Sequence, residues 1–155
     1  MKKLQKTSMR KPNDILLPEV RKMVSEGHTV TLKVRGNSMR PFLESSRDYV
    51  LLAPFSSVGV GDVVLAEICK GHFVLHRIIS KDGDALVLKG DGNHLQTESC
   101  RVADVAAVAR GFYRRDRYYP TDGKLWKRYS AFWMKAMPMR RWFLAAYRRM
   151  PVFHK

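Results

Sequence analysis

Six short stretches rich in apolar and β-branched residues follow one another through the middle of this 155-residue chain. Clusters of Gly, Asp and Ser separate them, and Asp82-Gly83-Asp84 is typical of a hairpin turn between the fourth and fifth stretches. Short strands with turns at this spacing predict a mostly antiparallel, barrel-like β-domain. The stretches are residues 28–35, 48–53, 62–68, 72–80, 85–89 and 102–113.

Helices are predicted on both sides of this β-domain. Before it, Asn13 can cap a helix whose apolar residues recur at helical spacing to about Ser25, and Gly27 ends the pattern. After it, residues 124–150 hold all three tryptophans and predict an amphipathic helix that ends or kinks at Pro138, followed by a second short helix. The expected apolar stripe is Leu125, Tyr129, Phe132, Trp133, Ala136 and Met137. The predicted units are a basic tail with a helix (1–27), the β-domain (28–115) and a basic, aromatic helical tail (116–155).

The net charge of +15 is concentrated at the two ends of the chain. Residues 1–37 contain nine Lys and Arg against three acids, and residues 110–155 contain thirteen against two. Residues 38–109 contain seven against nine, so the middle is nearly neutral. Basic flanks favour an anionic partner, either phospholipid or nucleic acid, although a solvated face that only aids solubility also fits. Nucleic acid is the least favoured partner because no reader motif precedes the β-domain. A basic, aromatic helix fits an anionic membrane surface as well as it fits packing on the β-domain.

Ser38, His76 and Asp91 together have the side chains of an activated nucleophile. The serine lies at a predicted strand-to-loop break, the histidine inside an apolar strand and the aspartate in a Gly-flanked turn. A serine hydroxyl is a poor nucleophile at neutral pH, so it needs a base within hydrogen-bonding reach and a third group that orients the base. An unperturbed histidine titrates at roughly pH 6.5 and can accept a proton without the heavy desolvation that a lysine base requires.

Four short motifs, in this order, resemble those of the signal peptidase and LexA-like serine peptidases over roughly residues 32–111. Bacterial leader peptidases and LexA-type proteins have a lysine base, whereas this chain has His76 and is similar to the histidine-bearing branch of endoplasmic-reticulum and archaeal signal peptidases. The resemblance implies Ser38 as nucleophile, His76 as base and Asp91 as the third member of the site. The motifs are Gly-Asn-Ser-Met-Arg-Pro at 36–41, Gly-Asp-Val-Val at 61–64, His-Arg at 76–77 and Gly-Asp-Gly-Asn at 90–93.

Each of these residues also has a purely structural interpretation. Ser38 fits a turn serine, and Asp91 fits a turn aspartate that bonds its own backbone. A lone histidine on an apolar strand is more often a satisfied core residue, so the catalytic interpretation of His76 depends on the other two motifs. The backbone N–H of Ser38 is the expected oxyanion donor, with Asn37 as a candidate for the second, because Gly36 stands where bacterial signal peptidases often have a hydroxyl residue.

The sequence predicts no metal or other cofactor. His72 and His76 are four strand residues apart, about 13 Å, which is too far for two ligands of one zinc ion. Cys69 and Cys100 form no metal motif and are expected as free thiols in a reducing compartment. No secretory signal and no run of about 18 apolar residues is visible, so we expect a cytoplasmic location, with peripheral attachment to the inner membrane face as an option.

The expected function is therefore that of a serine endopeptidase that cleaves a leader or precursor peptide. The resemblance implies cleavage after a small residue such as alanine. The alternative is an inactive or self-cleaving regulatory module of the same fold. An obvious Ala-Gly or Cys-Gly self-cleavage site is missing upstream of Ser38, which disfavours self-cleavage.

Overall fold

A computed structural model describes residues 13–93 and 95–150, with side chains from Leu16 onward. These residues form three α-helices and eight strands, and Pro138 lies in the 3-10 turn between the last two helices, where the sequence predicted a break. The helices are α1 (Asn13–Ser25), α2 (Lys124–Lys135) and α3 (Arg140–Arg149). The strands are β1 (Val30–Lys33), β2 (Tyr49–Ala53), β3 (Val63–Cys69), β4 (His72–Asp82), β5 (Ala85–Lys89), β6 (Glu98–Arg101), β7 (Val105–Arg114) and β8 (Arg117–Pro120).

The strands form one antiparallel sheet in the order β1-β2-β7-β3-β4-β5-β6, with β8 added on β7. Within the described residues β1 and β6 are the ends of this path and are not paired with each other, so the sheet is open. β4 pairs with β3 along its first half and with β5 along its second half. The expected mainly β, antiparallel domain with an N-terminal helix and C-terminal helices is confirmed.

The sequence predicted six strands and missed two of the eight, β6 and β8. β6 has the sequence Glu-Ser-Cys-Arg and β8 has Arg-Tyr-Tyr-Pro, so neither has the apolar run on which the prediction depended. Each pairs with only one neighbour within the described part of the chain, and a strand with one free edge needs little apolar surface. The predicted stretch 102–113 begins as a 3-10 turn, Val102–Asp104, and the predicted stretch 28–35 shortens to β1.

The larger core lies beneath α1 and α2. Val20 and Val24 of α1 are buried in it, and Trp126 of α2 has its ring centroid 4.9 Å from that of Phe42 and 4.5 Å from that of Phe112. Aromatic pairs at these distances add to the stability given by their buried area. A second core lies along β3, β4, β5 and β7 and includes Val64, Ile78, Leu88 and Val108. The helical tail is thus packed on the β-domain.

The buried face of α2 differs from the predicted stripe. Trp126 and Trp133 are 5% and 3% exposed, whereas Leu125 and Phe132 are 54% and 52% exposed. The prediction is wrong for Leu125 and Phe132 because helical spacing alone does not say which of several overlapping apolar faces meets the sheet. Two tryptophans seven residues apart bury more area than Leu125 and Phe132 would, and they determine the face that packs.

Candidate active site

Ser38 lies in the turn that follows β1. Gly36, two residues earlier, has a φ of 80°, a conformation that residues with a Cβ rarely adopt. Met39 is 2% exposed, and its carbonyl accepts the N–H of Leu43, so the turn is anchored in the core. Ser38 itself remains partly exposed and lines two cavities.

His76 is held in β4 by a carboxylate that the sequence analysis did not select. The histidine is 4% exposed, and its Nδ1 atom lies 2.7 Å from Oε2 of Glu98. A carboxylate only accepts hydrogen bonds, so Nδ1–H donates and the neutral ring has its free lone pair on Nε2. A histidine base needs this tautomer if it is to take a proton from a serine.

The register of the sheet explains why Glu98 reaches His76. Ile78 of β4 lies opposite Leu88 of β5, and Leu88 lies opposite Glu98 of β6. Cross-strand partners share a face of the sheet, and so do residues two apart on one strand. Glu98 and His76 therefore lie on the same face. Glu98 is the acidic residue at the start of β6, and it was the sequence signal for a partner of His76, but β6 itself was not predicted.

Ser38 and His76 both lie close to Gly90. A Cβ at Gly90 would collide with the carbonyl oxygen of Ser38 and would lie 3.1 Å from Nε2 of His76. Both residues also line one cavity of about 240 Å³. Among the described residues no hydrogen bond joins the Ser38 hydroxyl to the His76 ring, and such bonds are often long or absent in enzymes without substrate.

The Asp91 carboxylate is fully buried and bound to residues other than His76. Arg77 donates to it from Nε and Nη2, both at 2.8 Å, and the Tyr129 hydroxyl donates at 2.9 Å. The Trp133 indole N–H donates to the Asp91 carbonyl at 3.1 Å, and Nη2 of Arg140 lies 3.9 Å from the carboxylate. The structure thus places the expected third member of the site in a buried ion-pair cluster with the C-terminal helices.

Strand alternation separates the two acids. His76 and Arg77 are neighbours on β4, so their side chains point to opposite faces. His76 meets Glu98, and Arg77 meets Asp91, Tyr129 and the hydroxyl of Ser130 on the other face. The expectation that Asp91 orients the base does not match these contacts.

The Asp91 cluster alters the ionisation of its members. Burial alone would lower the pKa of Arg77, but the hydrogen bonds and charge of Asp91 outweigh burial and raise it. Burial, followed by the charge of Asp91, raises the pKa of Tyr129 well above 10.0. At neutral pH Arg77 is therefore charged and the Tyr129 phenol is neutral, so both donate to the Asp91 carboxylate, whereas burial lowers the pKa of Arg140 in the same cluster.

The backbone near Ser38 offers candidate oxyanion donors. The Asn37 carbonyl accepts the N–H of Arg40 at 3.2 Å, and the Ser38 carbonyl accepts the N–H of Gly92 at 2.7 Å. Within the described residues the N–H groups of Asn37 and Ser38 have no acceptor of their own. Two free amides beside a nucleophile are suitable donors for a developing oxyanion.

Both cysteines lie in the described part of the chain. Cys69 and Cys100 are free thiols, and no group of three or more His, Cys, Asp or Glu side chains there could hold a metal ion. None of the helices there has the length and apolar content needed to cross a membrane.

The family of the chain follows from one comparison. No curated protein matches the sequence. A family model described as Peptidase S24-like matches residues 5–111, which is more than half of the chain and includes Ser38, His76 and Glu98 but neither α2 nor α3. Since this match covers more than half of the chain, including β1 to β6 and most of β7, the chain belongs to the S24-like peptidase family.

Proposed function

We propose that the chain is a serine endopeptidase in which Ser38 is the nucleophile, His76 the base and Glu98 the group that orients the base. The single observation that carries this proposal is the 2.7 Å contact between Nδ1 of His76 and the Glu98 carboxylate. It leaves Nε2 as a proton acceptor near the serine turn. Membership of a peptidase family supports the same chemistry.

The proposed mechanism has two halves. His76 Nε2 takes the Ser38 proton as Oγ attacks a peptide carbonyl, while the N–H groups of Ser38 and Asn37 bind the oxyanion. His76 then gives the proton to the leaving amine, and an acyl-enzyme remains on Ser38. Water repeats the sequence with His76 as base, and the acid product leaves. The Glu98 carboxylate stabilises the imidazolium that forms in each half.

Asp91 has a supporting role in this proposal. Its carboxylate is occupied by Arg77 and Tyr129, so it acts on the site only through the turn in which it lies. That turn supplies the Gly92 N–H that binds the Ser38 carbonyl. The aspartate thereby positions the nucleophile without touching the reacting atoms.

The 240 Å³ cavity is the proposed binding site for a peptide substrate. Its lining is largely apolar and comes from α1, β1 and β4. β1 is an end strand of the sheet within the described residues, so it can pair with an extended peptide. The substrate would be a leader or precursor peptide with a small residue before the scissile bond, as the resemblance implies.

A second candidate function is a binding or self-cleaving module of the same fold. The observation that favours the inactive, peptide-binding form is the missing hydrogen bond between Ser38 and His76 in the described structure. A site that never closes this contact would bind peptides without turnover.

The location proposed for the enzyme is an anionic membrane surface, reached through the C-terminal helices. Trp142 is 64% exposed, and Phe132, Met139 and Phe143 are also exposed. The Arg141 guanidinium lies over the Trp142 ring at 5.0 Å, so apolar and basic groups are adjacent. Exposed rings beside arginines fit the boundary between headgroups and acyl chains.

A peptide library made by digesting a bacterial proteome tests the proposed activity. The purified chain and its Ser38→Ala variant are each incubated with the library, and new peptide termini are identified by mass spectrometry. We expect new termini with the parent chain only, and an unchanged melting temperature for the variant. New termini with both proteins would contradict the nucleophile, and none with either would favour the binding module. Loss of mass from the chain itself would indicate self-cleavage.

A further inference from the structure

A second cavity, of about 350 Å³, meets the 240 Å³ cavity, here called the apolar groove, at Ser38. Its walls come from the serine turn, from Gly92 and Asn93, and from α3. The α3 residues are Leu144, Tyr147 and Arg148, whose spacing puts them on one face of the helix. α3 lies outside the residues matched by the family, so this wall is a feature of this chain.

The α3 wall is firmly attached to the domain. Leu144 is 4% exposed and Arg140, one turn earlier, is fully buried. Arg140 donates to the Trp133 carbonyl at 3.4 Å and stacks over the Trp133 ring at 5.4 Å. Its guanidinium also lies 3.9 Å from Asp91, in the turn that bonds the Ser38 carbonyl. These contacts place the α3 wall beside the serine turn.

The second cavity is lined by two arginines, and the charge of only one of them is balanced by an acid. Arg40 lines it, but Glu44 holds the Arg40 guanidinium through contacts of 2.8 and 2.7 Å and balances its charge. Arg148 is exposed and, among the described residues, makes no ion pair. Asn37 and Asn93 add side-chain amides, whose NH₂ groups are able to donate hydrogen bonds. The lining thus combines polar donors with one uncompensated arginine.

We propose that this cavity binds an acidic side chain of the peptide substrate, within two or three residues of the scissile bond, and that Arg148 selects it. The inference rests on the proposed peptidase function. A peptide substrate extends in both directions from a scissile bond placed at Ser38. Ser38 lines both the apolar groove and the second cavity. A chain with one flank in the apolar groove can therefore place the other beside α3. Successive residues of an extended peptide are about 3.3 Å apart, and the selected acidic residue is therefore placed within two or three residues of the scissile bond.

Two measurements on the full chain test this inference separately from the activity. In the first, cleavage sites from the proteome-derived library are compared between the parent chain and the Arg148→Gln, Arg148→Glu and Arg149→Glu variants. In the second, the same library is passed over immobilised Ser38→Ala protein with and without Arg148→Gln, and the retained peptides are sequenced. Arg149 is the matched control because it is an exposed arginine of the same helix that does not line the cavity.

We expect Asp or Glu to be enriched roughly two- to fivefold at one position near the cleaved bond, as a single exposed ion pair allows. Arg148→Gln should remove the enrichment, Arg148→Glu should replace it with Lys or Arg, and Arg149→Glu should leave it unchanged. Cleavage without an acidic preference, or a preference that survives Arg148→Gln, would overturn the inference and leave the peptidase intact. Retention of acidic peptides that depends on Arg148, without any cleavage, would support the cavity and overturn the peptidase. No cleavage and no acidic enrichment would overturn both.

Discussion

His76 and Glu98 are 22 residues apart in the chain, yet Nδ1 of one lies 2.7 Å from Oε2 of the other. β5 lies between the strands that carry them, and the antiparallel register puts both side chains on one face. Asp91 is closer in sequence to His76 but is bound by Arg77 on the opposite face. Two acids near the nucleophile therefore have different chemical surroundings, and mutations can distinguish their roles.

Glu98→Gln should lower kcat by about 10²- to 10⁴-fold with little change in KM or in melting temperature. The amide is nearly the same size as the carboxylate, but it no longer stabilises a positive imidazolium and can favour the wrong tautomer. The rates are measured on a peptide found in the proteome-derived library. Activity within threefold of the parent chain would contradict the orienting role.

Asp91→Asn makes the same acid-to-amide change at Asp91 that Glu98→Gln makes at Glu98. It leaves the buried Arg77 without a charged partner, and breaking a buried ion pair costs about 3–5 kcal/mol. We expect a large fall in the free energy of unfolding, measured by urea denaturation, and a smaller fall in kcat below the melting transition. If Asp91→Asn instead reduced kcat as much as Glu98→Gln with unchanged stability, Asp91 would be the third member, as the sequence pattern suggested.

Sequence patterns predicted the parts of the site that depend on local residues. Gly36 marks the serine turn and apolar alternation marks the histidine strand, but the prediction of Ser38 and His76 as site residues depended on the resemblance of the four motifs to a peptidase family. Glu98 was missed because its strand has almost no apolar signal and its contact with His76 depends on the register of three strands. The contact of Asp91 with Tyr129 was missed for a similar reason, since Tyr129 comes from a helix 38 residues later in the chain.

Gly90→Ala should reduce activity by on the order of tenfold or more, because the added methyl group would collide with the Ser38 carbonyl and crowd Nε2 of His76. Steady-state kinetics on the same peptide measure the effect. Gly59→Ala is the control, since a Cβ there meets nothing within 4 Å. Equal activities of the two variants would show that the approach of Ser38 and His76 at Gly90 is unimportant.

Tyr129→Phe should change how stability depends on pH. Burial, followed by the charge of Asp91, raises the Tyr129 pKa well above 10.0, so above about pH 10 the unfolded phenol loses its proton first. This raised pKa has no effect on stability below the unfolded value, and it lowers the free energy of unfolding as the pH rises from there towards the folded pKa. The variant should therefore lose less stability between pH 9 and 11 than the parent chain. The other tyrosines remain in both proteins, so parallel profiles in urea denaturation would contradict the raised pKa.

The C-terminal helices have a buried face and an exposed face, and one tryptophan substitution on each face distinguishes them. A chain ending at Asp122 should melt at a much lower temperature, because it loses the buried rings of Trp126 and Trp133 and uncovers Arg77. Trp126→Ala alone should cost about 3–5 kcal/mol, whereas Trp142→Ala should cost less than about 0.5 kcal/mol, since Trp142 is 64% exposed. Thermal melting of the chain ending at Asp122, of Trp126→Ala and of Trp142→Ala, each compared with the parent chain, measures these losses of stability.

The same Trp142→Ala variant tests the membrane surface without disturbing the core. The full chain should sediment with vesicles of anionic phospholipid and less well as salt rises, because exposed charges are screened. Trp142→Ala should weaken this binding several-fold, while Leu95→Ala, which removes an exposed apolar residue far from α3 in the sequence, should leave it unchanged. If the parent chain does not bind anionic vesicles at low salt, the exposed rings and arginines of α3 have another partner, and the proposed attachment to a membrane is wrong.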